Sequence, residues 1–192
     1  MFSDESRFNL SVSDGRVRVW RRRGERLNDR HIDEIDAYGR GGVMVWAGIS
    51  TGGKTDLVIV DGNLTSQRYV DEILRPHVVP YAGAIGESFI LQDDNARPHR
   101  GLIVQDFLDE QGISRMNWPA VSPDLNPIEH MWDILGRRVT PRLNPDSTVN
   151  DLKVILVEEW SQITIQQVDR LIGSMRRRCT ECIEAAGGHT HY

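Results

Sequence analysis

The sequence predicts an α/β fold, and three observations carry that prediction. Apolar segments with strand period crowd the N-terminal part of the chain. The period then changes to that of a helix, and strand and helix segments alternate until the chain ends in helices. No internal repeat, low-complexity tract or break in composition divides the 192 residues, so a single domain spanning 1–192 is expected.

The first strand is "MFSDES", short, with Phe2 and Asp4 on one face. "RVRVW" alternates Val17 and Val19. "GVMVWAGIS" is β-branched, aromatic and almost continuously apolar, the pattern of a strand buried on both faces. Gly52-Gly53 turns the chain into "TDLVIVDG", which completes a hairpin. A polar excursion rich in Arg and Asp, residues 21–41, is too long for a hairpin turn.

Helical spacing begins in "LTSQRYVDEILRPHVVPYA", with Thr65 or Ser66 as the cap and Tyr69, Ile73 and Leu74 on one face. Pro76 is expected to kink or end this helix and Pro80 to end it. "SFILQDD" is the next strand. Pro98 opens a helix through "HRGLIVQDFLDEQG" that Gly112 stops, and "ISRMNW" is the last strand. Three helices follow, over residues 128–139, 148–160 and 165–186.

Hydrophobic residues at 39% and charged residues at 27% are ordinary for a globular protein. No apolar run approaches the roughly 20 residues that span a bilayer. "MFSDESRF" lacks the basic-then-apolar layout of a signal peptide, so an intracellular protein is expected. A net charge of −5 argues against a general nucleic-acid coat protein. Arg21-Arg22-Arg23 and Arg176-Arg177-Arg178 are nonetheless compact basic blocks, each able to meet a phosphate backbone or to be a solvated face. Cys179 and Cys182, with His189 and His191, sketch a zinc site, but the cysteines fall one turn apart on an expected helix. A structural zinc site pairs two such knuckles at recognised spacings, so no zinc is expected.

The chemistry-bearing residues are carboxylates. Asp4 lies within the first strand, Asp93 and Asp94 end "SFILQDD", and Glu129 lies just inside a helix in "WPAVSPDLNPIEHMWDIL". In α/β sheets functional groups gather at strand ends and the helices beside them. Carboxylates that converge there need positive charge, which hard divalent cations supply. Two ions about 4 Å apart suit an in-line displacement at phosphorus. Each residue also has a bland alternative: Asp4 a solvated chain end, Glu129 the third helical residue of a capping box begun by Asn126 and Pro127. Asp124 and Asp133 are further acidic neighbours.

"FSDESRF", "LQDDNARPH" and "WPAVSPDLNPIEHMWDIL", with "GGVMVWAGIS" and "LTSQRYVDEIL" between them, resemble the catalytic domain of Tc/mariner transposases in the Tc-like branch. The likeness runs from Phe2 to roughly the C-terminus. Between Asp94 and Glu129 lie 34 residues, the separation that marks that branch.

The resemblance implies an RNase H-like fold: a five-stranded mixed sheet, its first three strands antiparallel, with helices on both faces. It implies Asp4, Asp94 and Glu129 as catalytic, metal-binding residues for Mg²⁺, with Mn²⁺ as a substitute. Asp93 would be a neighbour or solvent-facing residue rather than a ligand, because the family's second catalytic Asp directly precedes Asn, here Asn95. The activity implied is DNA strand cleavage by water, followed by attack of the freed 3′-hydroxyl on a TA target. DNA and a second copy of the chain are the implied partners, the nucleus the implied compartment, and residues 21–41 the clamp loop of a homodimer. Full-length relatives begin with two helix-turn-helix units, which this chain lacks, so a truncated element is expected. The rival readings are a catalytically silent remnant that binds DNA or protein, and a zinc-stabilised interaction module.

Overall fold

The computed structural model describes residues 1–10, 41–119, 122 and 125–185. The expected strand over 16–20, nearly all of the clamp-like loop, Arg21 to Arg23, Asp124, His189 and His191 lie outside the described residues.

Strand β1 (Phe2–Asn9) pairs antiparallel with β2 (Gly42–Ser50), with Asp4 opposite Ala47. The two-residue β3 (Gly53–Lys54) and β4 (Val58–Val60) both pair antiparallel with β2. Between them the chain leaves the ladder at Thr55, whose hydroxyl accepts from Gly48 N at 2.9 Å. Strand β5 (Ile90–Leu91) pairs in parallel with β6 (Ser114–Arg115). Among the described residues the strands form a four-stranded and a two-stranded sheet, and the single five-stranded sheet expected is not seen there. They meet at one parallel bridge, Phe2 to Gln92, where Ser3 N donates to Gln92 O (3.0 Å) and Gln92 N to Met1 O (2.8 Å). Pairing stops there because the chain turns away after Gln92 to form the loop that carries Asp94.

The continuous apolar run of β2 has the predicted consequence. Val43, Val45, Ala47 and Ile49 enter one core cluster, and Trp46 enters another. Alternation thus feeds both faces of the sheet from one strand. The first cluster is closed by α4 (Pro127–Val139), α5 (Val149–Ser161) and α6 (Ile165–Gly173). The second is closed by a long helical segment and by α3 (Leu102–Glu110).

That long segment departs from expectation. It begins as α1 (Ser66–Arg68), with Thr65 accepting from Arg68 N, widens into a π-helix over Tyr69–Val78, and ends as α2 (Val79–Ile85). Pro76 lies inside the π-helix and Pro80 near the start of α2, and neither ends it. A proline in an α-helix clashes with the carbonyl four residues back and lacks its own donor. The wider turn moves that carbonyl away, and Val79 N bonds Leu74 O, five residues back. The segment stops only at Gly86, with φ 86°.

The last expected helix is likewise two pieces, α6 and α7 (Met175–Glu184), broken at Ser174, whose hydroxyl donates to Leu171 O (2.6 Å). Cys179 and Cys182 are free thiols on α7. The neighbouring arginine block is split: Arg176 and Arg177 are exposed, whereas Arg178 is buried and donates from Nε to Ser174 Oγ (2.8 Å). No helix among the described residues is long and apolar enough to cross a membrane.

Candidate active site

Helix α4 repeats Ile128, Met131, Trp132, Leu135 and Val139 into the core, the 3.6-residue period of an amphipathic helix. Glu129 and Asp133 consequently lie on its other side, beside β1. The even residues of β1 turn toward α4: Phe8 packs edge-on against Trp132, and Trp132 Nε1 donates to Asp4 Oδ2 at 3.0 Å. The Asp4 and Glu129 carboxyls lie close enough to shift one another's protonation. An open cleft of about 550 Å³, lined by Ser6, Phe8, Glu129, Trp132, Asp133 and Arg137 among others, starts at this point.

The capping box expected at α4 is not formed. Asn126 is the N-cap, yet its side chain makes no capping bond, and its buried Oδ1 has no partner among the described residues. Glu129 lies beside Asp4 instead.

Asp93 and Asp94 diverge, as adjacent residues of an extended chain do. Asp93 is buried against Arg115 of β6, Nη2 to Oδ2 at 3.3 Å, so it is not solvent-facing. Burial raises its carboxyl and Arg115 pulls it back down. Asp94 stays half-exposed beside the Asp4–Glu129 pair. Its Oδ1 accepts from Ala96 N (2.8 Å) and meets His99 Nδ1 (2.7 Å).

His99 was not picked out by sequence reasoning, although it closes the quoted "LQDDNARPH". It is buried, lies against the ring of Tyr69 with centroids 4.3 Å apart, and reaches Glu5 Oε1 from Nε2 at 3.2 Å. A histidine soon after a strand-end carboxylate is the signal that could have found it. Its Glu5 contact spans 94 residues and has no local signature. Glu5, Asp94 and His99 have ligand atoms close enough to hold an ion. However, the two ring nitrogens point in opposite directions, one to each carboxylate. The imidazole is thus a strap between them.

The electrostatics follow from crowding. Burial, then the charge of Glu129, pushes Asp4 up to about 8, against the Trp132 hydrogen bond. Glu129 is raised by burial, then by Asp133 and Asp94. Asp94 is lowered, chiefly by its bond to His99. Burial disfavours the His99 cation, but the bonds to Asp94 and Glu5 outweigh it and lift the imidazole to about 10.

The domain is thus α/β, with carboxyls clustered where a strand end faces a helix. Residues 1–152 match the family model described as DDE superfamily endonuclease. The Tc1 transposase of Caenorhabditis elegans is 34% identical over 195 residues, covering 100% of this chain and 70% of that protein. Among solved structures, a Mos1 transposase paired-end complex with the left transposon end aligns with a TM-score of 0.70 at 18% identity, over 97% of this chain and 55% of that one. The Mos1 catalytic domain with raltegravir and Mg aligns with a TM-score of 0.67 at 18% identity, over 78% of each chain. The chain belongs to the DDE superfamily endonucleases, as the catalytic domain of a Tc/mariner transposase.

Proposed function

We propose that this chain cleaves DNA strands and joins the freed 3′ end to a target, with Asp4, Asp94 and Glu129 holding divalent metal ions. The observation that carries this reading is the electrostatic coupling of these three carboxyls, which come from three separate elements. A buried carboxyl raised to about 8 by its acidic neighbours is a site short of positive charge. The donor set is all oxygen, which suits Mg²⁺ and also Mn²⁺. Bound there, such ions supply the charge that stabilises an in-line displacement at phosphorus.

The chain's own residues prepare that step. Asp4 carries a proton at neutral pH in the ion-free chain and releases it on ligating, so ion uptake is coupled to proton release. Trp132 holds Asp4 Oδ2. Exposed Arg97 and Arg100 flank Asp94 and supply contacts for DNA phosphates. A TA target, a homodimer built through residues 21–41 and a nuclear site of action complete the reading by likeness to the family. With β3 and β4 counted as one interrupted strand beside β2, the Phe2–Gln92 bridge supports treating the two sheets as one five-stranded RNase H-like sheet, and 1–192 as one domain.

Two measurements test the proposal: calorimetry of Mn²⁺ binding to the 192-residue chain, and Mn²⁺-dependent nicking of supercoiled plasmid. Asp4→Asn, Asp94→Asn and Glu129→Gln should each lose both. Undiminished Mn²⁺ uptake in all three variants would overturn the site. A parent chain that takes up no ion would favour a catalytically silent remnant.

A further inference from the structure

Asp94 has two carboxylate oxygens in different situations. Oδ1 is occupied by two donors, Ala96 N at 2.8 Å and His99 Nδ1 at 2.7 Å. No protein hydrogen bond of Oδ2 is seen among the described residues, and the side chain is 45% exposed. His99 itself cannot drift. It is 2% exposed, lies against Tyr69 on one side, and its Nε2 is tied to Glu5 Oε1 at 3.2 Å. Arg115 Nη2 additionally holds the His99 carbonyl at 3.0 Å. Glu5 belongs to β1, the strand that carries Asp4, so this strap fixes the Asp94 loop against the strand of the first aspartate.

We propose that His99 is a positioning residue. With Ala96 N it locks Asp94 Oδ1, so that Asp94 offers a single oxygen, Oδ2, to a divalent cation, at a fixed separation from Asp4. Trp132 likewise engages Asp4 Oδ2. This rests on the metal-binding reading of the site given above. Asp94 is therefore a one-oxygen ligand, and the remaining positions around an ion stay available to water and to the phosphate of a DNA strand. Residues that orient ligands in this way usually contribute a factor of about 10–100 to metal affinity.

Two polar substitutions separate positioning from mere packing. In His99→Asn the side-chain amide nitrogen stands near the place of Nδ1 and keeps the donor to Asp94. In His99→Gln it stands near the place of Nε2, keeping the link to Glu5 and losing the donor to Asp94. Mn²⁺ dissociation constants are read by electron paramagnetic resonance on the 192-residue chain, with melting temperatures in EDTA as the folding control. His99→Gln should bind Mn²⁺ about 10–100-fold more weakly than the parent, and His99→Asn within less than about tenfold of it. Equal affinities in both variants, whether both parental or both weakened, would overturn the positioning role. Asp94→Asn serves as the reference. If it binds Mn²⁺ like the parent, the metal-binding reading itself fails. If it loses binding while His99→Gln does not, only the role of His99 fails.

Discussion

The indole nitrogen of Trp132 donates to Asp4 Oδ2 across 3.0 Å, joining helix α4 to strand β1 inside the carboxyl cluster. The bond opposes the burial and the like charges that raise Asp4. Trp132→Phe keeps an aromatic ring beside Phe8 and Trp160, removes the donor and trims buried volume. The variant should lose at least about 1 kcal/mol of stability. Asp4 should also titrate above its parental value of about 8. Carboxyl ¹³C chemical shifts followed through a pH titration check this, and an unchanged or lower Asp4 midpoint would contradict it.

The ion-free chain should lose stability as pH rises. Asp4 titrates near 8 in the folded chain and near 3.8 when unfolded, so folded molecules bind the extra proton between those values. Stability from this group is complete below about pH 4 and declines as pH climbs through 8. His99 acts in the same direction over a higher window, from 6.5 to about 10. Asp94, which is lowered, works the other way, below its ordinary value of 3.8. Thermal melts in EDTA at pH 5, 7 and 9 should therefore fall in that order. A melting temperature that rises from pH 5 to 9 would contradict the assigned shifts.

Asp93→Asn and Asp94→Asn should fail in different ways. Asp93 and Arg115 form a pair with side chains only 2% and 11% exposed, and removing one partner of such a pair costs about 3 kcal/mol. Asp93→Asn should thus melt earlier while still gaining stability from Mg²⁺. Asp94→Asn should gain nothing from the ion. The same Mg²⁺ response in both variants would argue against assigning them separate roles.

Glu129→Gln should not weaken helix α4, because the Asn126 side chain makes no capping bond that the change could break. It removes a like charge from beside Asp4, so the ion-free variant should be as stable as the parent or more stable. The parent should gain about 2.7 kcal/mol when Mg²⁺ is present at 100 times its dissociation constant, and the variant much less. Equal gains in the two would leave Glu129 without a part in ion binding.

Much of this arrangement was legible from local pattern. The continuous apolar run of β2 announced burial on both faces, and Asn126-Pro127 marked the start of helix α4. The resemblance to Tc/mariner motifs, not local pattern, singled out Asp4, Asp94 and Glu129, whose charges act on one another in the fold. What escaped depends on tertiary partners. Pro76 and Pro80 read as stops because the widened turns that accommodate them have no sequence signal. The Asp93–Arg115 pair exists only because β5 and β6 lie side by side. The capping box at Glu129 was locally well formed, yet Glu129 lies beside Asp4, a residue far away in the chain.

The bridge between Phe2 and Gln92 has one more consequence. Asp4 and Asp94 each stand two residues beyond it, one on β1 and one in the loop after β5, so both are placed by counting residues from a shared origin. A one-residue insertion between Gln92 and Asp93 would bring Asp93 to the place that Asp94 now holds. Chain length on both sides of the bridge is thus under as strict a constraint as the aspartates. A decaying copy could fall silent through a single codon gained between Gln92 and Asp94 with every acidic residue still in place.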